Sequence, residues 1–221
     1  MVEQNATTAV SGVSLDEATL RTVVDSYHQI LHVGAVWERT FWRGVAVQKL
    51  PSDLFIYQEL IYSLQPDYIV ETGTALGGAA LFFADMMELN GHGRVISVDT
   101  FFRSDRPEHP RIRYITDNSL NTFKEIEAEV KGKRVIVSLD SDHRKAHVLR
   151  EMEMYAPLAT EYLVVEDTNV NHPVFLSGFA DGGPWEAVEE FLGSHPEFEI
   201  DKTRHKFMVT FNPNGWLRRR R

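Results

Sequence analysis

The fold is decided by one stretch of the sequence, Val135-Ile136-Val137-Ser138-Leu139-Asp140-Ser141-Asp142-His143. Its apolar run ends abruptly at Asp140, and His143 follows three residues later. A continuous apolar run of this length is typical of a strand that is buried on both faces, as in a parallel sheet. Ligands of open α/β folds bind just beyond the carboxyl ends of such strands. The acid and the histidine are therefore the first candidates for chemistry.

Three other apolar runs also end at acids. They are Tyr68-Ile69-Val70 before Glu71, Val95-Ile96-Ser97-Val98 before Asp99, and Tyr162-Leu163-Val164-Val165 before Glu166-Asp167. Segments with helical features separate these runs, and alternating strands and helices predict a doubly wound α/β sheet. Because parallel strands end at the same edge of a sheet, we expect the acids to share one rim.

The N-terminal part of the chain predicts a helical and aromatic extension. The capping box Ser14-Leu15-Asp16-Glu17 indicates a helix that runs to about His32. The aromatic-rich segment 34–49 has no clear period, and it either packs on the core or covers a ligand site. We therefore expect an extension or lid at residues 1–50 and the main domain at residues 51–221.

The remaining elements complete the alternating pattern. We expect helices at residues 51–64, 119–130, 144–155 and 184–192. A further helix is expected to follow the glycines at 73–78 and to end at about residue 89, and a third strand is expected at 111–116. Two last strands, at 198–201 and 206–211, are expected to form a short hairpin. Such a hairpin would make the last strand antiparallel.

The composition excludes several classes of function. The chain has 221 residues, 43% of them hydrophobic, which suits one domain with a large core. Its net charge of -9 argues against nucleic acid as a partner, and the basic end Arg218–Arg221 is expected to be a solvated tail. The absence of cysteine excludes disulfides, zinc thiolates and a cysteine nucleophile. With no signal peptide and no apolar stretch near the ~20 residues of a membrane helix, we expect a cytoplasmic protein without a membrane partner.

A glycine-containing turn, Glu71-Thr72-Gly73-Thr74-Ala75-Leu76-Gly77-Gly78, joins one of these strands to a helix. Glycines allow the backbone to approach a ligand closely, although a tight turn requires glycine in any case. The spacing is not Gly-x-Gly-x-x-Gly, and Glu71 would repel phosphate but suit the amino group of a methionine moiety. Asp99 is placed to hold ribose hydroxyls, unless it only caps a loop. Asp117 and Ser119 follow the third strand and are expected to reach a base.

Together these signals favour S-adenosylmethionine as the ligand of the turn. The candidate contacts to this cofactor are Glu71, Gly73, Thr74, Gly77, Gly78, Asp99, Asp117, Ser119 and Asp140. Each signal is weak when it is taken alone, and their combination carries the interpretation.

Several motifs occur together between about Trp42 and the C-terminus. They are Glu71-Thr72-Gly73 with Gly77-Gly78, Asp140-Ser141-Asp142-His143, His147-Val148, Tyr155-Ala156-Pro157, Val165-Glu166-Asp167-Thr168 and Gly215-Trp216-Leu217. As a set they resemble the cephalosporin hydroxylase / rhamnosyl O-methyltransferase family. The resemblance implies a Rossmann-like class I methyltransferase fold, with a mostly parallel seven-stranded sheet whose last strand is antiparallel. It also implies S-adenosylmethionine, usually a magnesium ion, and a homo-oligomer.

Three carboxylates, from Asp140, Glu166 and Asp167, are expected to meet at the ends of neighbouring strands. They would repel each other unless a cation neutralised them, and Mg2+ prefers such oxygen ligands. Similar metal-dependent O-methyltransferases place an acid at each of these points, so the resemblance also implies a metal site here. The alternative is that these acids are helix caps and loop acids. Asp142 is a second candidate for metal or base, and its role is not separable from that of Asp140.

Methylation of a hydroxyl requires a base, because the oxygen must lose its proton as it attacks the methyl group. Histidine is the side chain most often used for this task, and His143 is the candidate, acting with Asp140 as the second catalytic residue. In related sugar methyltransferases a histidine at this spacing looks like the base. The alternative is a helix-start residue bonded to the backbone. His147 lies one turn further on the same helix face and is expected to pack.

The expected function is S-adenosylmethionine- and Mg2+-dependent O-methylation of a hydroxylated small molecule, such as a sugar or a glycosylated natural product. The loop 168–183 follows the metal acids, and long loops in compact domains are often functional. We expect it to line the acceptor pocket through Asn169, Asn171 and His172, with Trp42 closing the pocket from the other side.

Two other interpretations stay open. In the first, Asp140, His143 and His147 form the two-histidine, one-carboxylate site of an iron-dependent oxygenase. In the second, the chain binds the cofactor without catalysis, because a fold alone does not establish an activity.

Overall fold

The computed structural model describes residues 16–173 and 178–220. Within this part of the chain the strands are β1 (Phe41–Trp42), β2 (Val45–Ala46), β3 (Tyr68–Thr72), β4 (Arg94–Asp99), β5 (Ile112–Thr116), β6 (Val135–Leu139), β7 (Tyr162–Val165), β8 (Phe198–Ile200) and β9 (Trp216–Arg219). The α-helices are α1 (Glu17–Val33), α2 (Pro51–Leu64), α3 (Gly78–Leu89), α4 (Ser119–Val130), α5 (Lys145–Tyr155) and α6 (Pro184–Ser194). Short 3-10 helices cover Val36–Arg39 and Lys202–His205.

Seven of these strands form one sheet in the order β5-β4-β3-β6-β7-β9-β8, and β1 pairs with β2 in a separate hairpin. Strands β3 to β7 pair in parallel, whereas β9 runs antiparallel to both of its neighbours. The predicted mostly parallel sheet of seven strands with an antiparallel last strand is confirmed. The strand order reverses between β3 and β6, and the carboxyl ends at such a point open a crevice for ligands.

The sheet is buried between two layers of helices. Side chains alternate along each strand, so Ile69 and Ile136 pack with α2 and α3 on one face. Val70 and Val137 pack with α4, α5 and α6 on the opposite face. This double burial accounts for the continuous apolar runs in the sequence. No helix in the described part of the chain is both long and apolar enough to cross a membrane.

Helix α1 is attached to the domain through its apolar side. It starts after the N-cap Asp16, whose carboxylate accepts a hydrogen bond from the Thr19 backbone N–H at 2.9 Å. The predicted capping residue Ser14 lies outside the described residues. Leu31, near the other end of α1, packs on the small cluster that contains Phe211. The predicted helix is therefore present, with a different capping residue.

The β1–β2 hairpin lies on α3. A Cβ added to Gly78 at the start of α3 would come within 2.1 Å of the Ala46 carbonyl oxygen, so glycine permits this close approach. Trp42 Nε1 donates a hydrogen bond to Asp85 Oδ2 on α3 at 2.7 Å. The hairpin thus fixes the start of the segment that leads through Lys49 to α2.

The predicted strand at residues 206–211 is wrong, because the last strand is β9 instead. Val209 and Phe211 are buried, which produces the alternation in the sequence, but they pack near the start of α2 rather than in the sheet. The Phe211 backbone N–H donates to Asp53 Oδ2 in α2 at 3.0 Å. A side-chain carboxylate therefore replaces the strand partner that the sequence pattern suggested.

The basic C-terminal end is not a free tail, because β9 includes Arg218 and Arg219, although the side chains of Arg218 and Arg220 are exposed as expected. Arg218 forms an ion pair with Glu199 of β8. The Arg219 guanidinium lies 4.4 Å from the centre of the Phe198 ring and donates to backbone carbonyl groups after α5. Pairing of β9 between β7 and β8 holds these arginines on the sheet, and Arg221 lies outside the described residues.

Candidate active site

A cavity of about 780 Å3 opens at the carboxyl ends of the parallel strands. The residues predicted for the site that line it are Gly73, Asp99, Asp117, Ser119, Asp140, His143 and Asp167. They end or follow strands β3 to β7, so the sheet brings them to one rim. The residues that line it from outside the sheet include His32, Trp37, Gln48, Phe179 and Phe211.

Gly73 brings the turn after β3 into contact with the residue that follows β6. Its φ is +87°, a conformation that favours glycine, and its backbone N–H donates to the Val98 carbonyl oxygen at 2.8 Å. A Cβ at this position would lie 1.9 Å from the Asp140 carbonyl oxygen. The glycine turn and the acid at the end of β6 are therefore packed together backbone against backbone.

Neighbouring groups hold two acids at the cavity. Asp99 Oδ2 accepts a hydrogen bond from the Ala75 backbone N–H at 2.8 Å and lies 3.0 Å from Arg106 Nη2. Asp117 accepts a hydrogen bond from Asn121 Nδ2 at 3.0 Å, and this bond lowers the pKa of Asp117 below its ordinary value. The orientation of both carboxylates is fixed before any ligand binds.

Four predicted cofactor contacts lie behind the cavity wall. Glu71 is fully buried and accepts a hydrogen bond from the Ser97 hydroxyl, and burial raises the pKa of Glu71 to about 8. Thr74 shares a 2.7 Å hydrogen bond with the same hydroxyl. Gly77 and Gly78 form the tight entry to α3. Glu71 belongs to strand β3 and not to the turn that follows it, so its side chain is buried in the interior and does not line the cavity.

Asp140, His143 and Asp167 form a compact cluster on the cavity wall. Their ligand atoms all lie within 4.8 Å of one another. His143 Nε2 is 3.1 Å from Asp167 Oδ2 and 3.6 Å from Asp140 Oδ1. Burial would lower the pKa of His143, but the hydrogen bond and charge of Asp167 and the charge of Asp140 raise it to about 9. Carboxylate oxygens at this spacing suit a hard divalent cation.

Glu166 points away from this cluster into the interior. One of its oxygens, Oε1, accepts a hydrogen bond from the Tyr57 hydroxyl and lies 3.2 Å from Lys49 Nζ. The other, Oε2, accepts from Asn212 Nδ2 at 2.8 Å. Both oxygens are therefore bonded to groups of the protein, and only 3% of the side chain is exposed.

Lys49 is the member of the site that sequence reasoning missed. Its Nζ lies 2.7 Å from Asp140 Oδ2, and its side chain is buried. Burial would lower the pKa of Lys49, but the charges of Asp140, Glu166 and Glu71 raise it above its ordinary value. An isolated lysine within the segment 34–49 carries no motif that would single it out. The converging acids thus have a cation that belongs to the chain itself.

The two other candidates on the α5 side serve neighbouring groups. His147 Nε2 is 3.1 Å from the Ser141 hydroxyl and 3.5 Å from Glu151 Oε1. It is not part of the cluster of metal-ligating atoms found among the described residues, so the set expected for an iron site does not assemble there. Asp142 accepts a hydrogen bond from the Arg144 backbone N–H at 2.9 Å, which is a turn-stabilising role.

The predicted acceptor residues do not line the cavity. Asn169 is fully buried and bonds to His28 in α1, and Trp42 bonds to α3. Asn171 organises its own loop by bonding to the Phe179 carbonyl oxygen and backbone N–H groups, and the His172 ring lies edge-on to Trp185. Of the loop 168–183, the described residue that reaches the cavity is Phe179. The loop therefore reaches the cavity through Phe179, and the four predicted side chains contact other parts of the protein.

Comparisons with known proteins identify a family model and several curated proteins that match most of the chain. Residues 34–220 match the family model described as Rhamnosyl O-methyltransferase/CmcI. The rhamnosyl O-methyltransferase of Mycobacterium leprae (strain TN) is 38% identical over 212 residues, which cover 90% of this chain and 91% of the relative. That of Mycobacterium tuberculosis (strain ATCC 25618 / H37Rv) is 37% identical over 209 residues, covering 88% and 84%.

Two solved structures show the same fold. A structure of CmcI with Mg and SAM superposes with a TM-score of 0.63 at 21% identity, covering 83% of this chain and 78% of CmcI. The O-methyltransferase from Bacillus cereus in complex with SAH gives a TM-score of 0.51 at 15% identity, covering 80% and 81%. At these identities the structural likeness establishes the class I methyltransferase fold, while the sequence matches establish the family.

Proposed function

The chain belongs to the Rhamnosyl O-methyltransferase/CmcI family and is an O-methyltransferase, and we propose that it methylates a sugar hydroxyl of a small molecule with S-adenosylmethionine and Mg2+. One observation carries this proposal. The cluster of Asp140, His143 and Asp167 lies in the same cavity as the glycine turn and Asp99. A methyl donor and a metal-dependent acceptor site would therefore face each other.

The cofactor would occupy the wall formed by the ends of β3, β4 and β5. The backbone at Gly73 is open to close approach, and Asp99 offers a fixed carboxylate to the ribose hydroxyls. Asp117 and Ser119 border the part of the cavity suited to the base. Glu71 would support this wall from behind rather than touch the amino group directly, because its side chain is fully buried.

The metal would bind at Asp140 and Asp167, with Glu166 as the third carboxylate ligand. The donor set fits a hard cation, since all three groups offer oxygen. Glu166 would have to exchange its present contact with Lys49 in order to join them. Bound there, Mg2+ would orient an acceptor hydroxyl, lower its pKa and weaken the hold of the carboxylates on the His143 proton.

His143 would be the base. Its Nε2 faces the cavity cluster, and its bond to Asp167 fixes the ring orientation. With its pKa raised to about 9, the imidazole carries a proton near neutral pH when no metal is bound, so it cannot accept another. A cation that offset the charges of Asp140 and Asp167 would lower this pKa and leave Nε2 of His143 able to take the acceptor's proton.

The acceptor would bind against the wall that does not belong to the sheet. Trp37 and Phe211 offer aromatic surface there, and His32 and Gln48 offer polar groups. Three of these four residues belong to the segment before α2. We therefore retain the proposal that residues 1–50 cover the acceptor as a lid on the domain at 51–221.

The proposal extends to a homo-oligomer in the cytoplasm. Val23, Tyr27 and Ile30 lie on one face of α1, and each is more than half exposed. An apolar face of this kind supports an interface between copies, and sedimentation at several concentrations would test it. The absence of cysteine is compatible with a reducing compartment.

The test uses purified protein with radiolabelled S-adenosylmethionine and 4-nitrophenyl α-L-rhamnopyranoside, followed by a panel of other glycosides. We expect label to be transferred to at least one glycoside, to be lost with EDTA and to return with Mg2+. Calorimetry should show that S-adenosylhomocysteine still binds in EDTA. Transfer that survives exhaustive chelation would remove the metal from the mechanism, and turnover that requires iron and oxygen would favour an oxygenase.

A further inference from the structure

Lys49 joins the N-terminal extension to the acids at the strand ends. Its Nζ lies 2.7 Å from Asp140 Oδ2 and 3.2 Å from Glu166 Oε1, with 3% of the side chain exposed. A carboxylate buried without a partner is costly, and several close together also repel each other. The lysine thus neutralises charge that the fold itself brings together.

The two oxygens of Asp140 face different neighbours. Oδ2 is held by Lys49, whereas Oδ1 lies 3.6 Å from His143 Nε2 in the metal-competent cluster. The contact with Lys49 therefore fixes the carboxylate plane and leaves the other oxygen available on the cavity side. Glu166 is oriented by the same ammonium group from the adjacent strand end.

The position of Lys49 is itself fixed on both sides. The hairpin before it is seated on α3, where the Ala46 carbonyl oxygen occupies the space that a Cβ at Gly78 would need. Leu50, directly after it, is the N-cap residue of α2. A lysine between two anchored elements has little conformational freedom left, so its ammonium is a preorganised cation.

We propose that Lys49 is a positioning residue, the chain's own counter-cation for Asp140 and Glu166, and that it is thermodynamically coupled to the metal. Lys49 and Mg2+ neutralise the same acids, so the loss of one increases the dependence on the other. The metal half of this inference rests on the proposed function, and the neutralisation half does not. Linkage makes the coupling reciprocal: removal of the lysine also tightens Mg2+ binding.

The experiment compares Lys49→Met with Lys145→Met by thermal unfolding in EDTA and in Mg2+. Lys145 is a matched control, because its Nζ also lies 2.7 Å from a carboxylate oxygen, that of Glu190, but at the surface. In EDTA we expect Lys49→Met to lower Tm by about 10 °C and Lys145→Met by less than about 2 °C. Mg2+ should restore at least half of the loss in Lys49→Met. Calorimetry should give a Kd for Mg2+ about tenfold lower than that of the wild type.

A merely structural lysine would behave differently, because its replacement would lower Tm equally with and without Mg2+. Equal Mg2+-induced shifts in Tm for the wild type and Lys49→Met would therefore overturn the coupling. The double variant Lys49→Met/Glu166→Gln should be more stable in EDTA than Lys49→Met, since one buried charge is removed. If the double variant is no more stable than Lys49→Met, the proposed neutralisation of Glu166 by Lys49 is overturned. The comparison remains possible if Lys49→Met does not fold, because the double variant would then be expected to fold.

The experiments distinguish failure of the proposed function from failure of this inference. If Mg2+ changes neither Tm nor heat in the wild type, the metal of the proposed function and the coupling to Lys49 are both overturned. Recovery of stability by the double variant in EDTA would still support Lys49 as the counter-cation. Methyl transfer to the glycosides reports on the proposed function alone.

Discussion

The acids at the strand ends fall into two groups that differ in what surrounds them. Asp140 and Asp167 line the cavity and keep oxygens available to a ligand. Glu71 and Glu166 are buried behind the wall. The oxygens of Glu166 bond to hydroxyl, amide and ammonium groups of the protein. One oxygen of Glu71 accepts from the Ser97 hydroxyl, and the other, Oε1, has no hydrogen-bond partner among the described residues. Acids at the same edge of the sheet thus lie in two different surroundings, one open to the cavity and one enclosed by the protein. Glu166 and Asp167 are adjacent in the sequence, yet Glu166 points into the interior and Asp167 lines the cavity. Bonds from Tyr57 and Asn212 hold Glu166 in the interior.

The largest expected effect breaks the cavity group. Asp140→Asn removes a proposed metal ligand and the charge beside His143, so we expect methyl transfer to fall by about 10^3-fold or more. Binding of S-adenosylhomocysteine, measured by calorimetry, should change little. The matched control is Asp142→Asn, because Asp142 also borders the cavity but its carboxylate bonds to Arg144. Comparable losses in both variants would contradict the assignment of the metal to Asp140.

An intermediate effect concerns the buried group. The pKa of Glu71 is raised by burial from its ordinary value of 4.5 to about 8, so between these values the folded state holds a proton that the unfolded state has lost. Stability therefore falls as pH rises through this window. Glu71→Gln removes this dependence on pH. Between about pH 5 and about pH 8, we expect the Tm of the wild type to fall roughly 5 °C more than the Tm of Glu71→Gln.

The control for this measurement is Glu199→Gln on the surface. The hydrogen bond and charge of Arg218 lower the pKa of Glu199, so it does not titrate within the window. Identical pH profiles for Glu71→Gln and the wild type would show that Glu71 is ionised in the folded protein and would place it with the cavity acids.

The smallest expected effect concerns two tryptophans, one that lines the cavity and one that does not. Trp37 lines the cavity, whereas Trp42 packs on Phe82 and donates to Asp85. We expect Trp42→Phe to cost about 1 kcal/mol of stability through the lost hydrogen bond and to leave the KM for the acceptor unchanged. Trp37→Phe should raise that KM about threefold, because it reduces the contact surface. The reverse order in acceptor kinetics would move the acceptor site to the hairpin.

The sheet was predictable because its information is local. Each of the apolar runs ending at Glu71, Asp99 and Asp140 reports burial on both faces, and alternation with helices then specifies parallel pairing. The last strand was not predictable in the same way. Alternating hydrophobic residues at 206–211 indicate burial on one side, and such a pattern does not say whether a sheet or a helix end provides the cover.

The site was predictable only where residues act from a strand end. Asp140, His143 and Asp167 were identified because they directly follow apolar runs. Lys49 was missed because its role depends on a contact across 91 residues of sequence, which no spacing records. Asn169 was assigned to the acceptor for its polarity, although it is fully buried and its Nδ2 bonds to His28 of α1.

The absence of a side chain at Gly73 has a consequence for substrate specificity. The turn proposed to hold the methyl donor touches the main chain of Asp140, and the contact leaves no room for even one carbon atom. Under the proposed function, the alignment of donor and metal would therefore be set by the backbone of the sheet. A different acceptor would then require changes in the part of the cavity that Trp37 and Phe211 line, while the sheet stays the same.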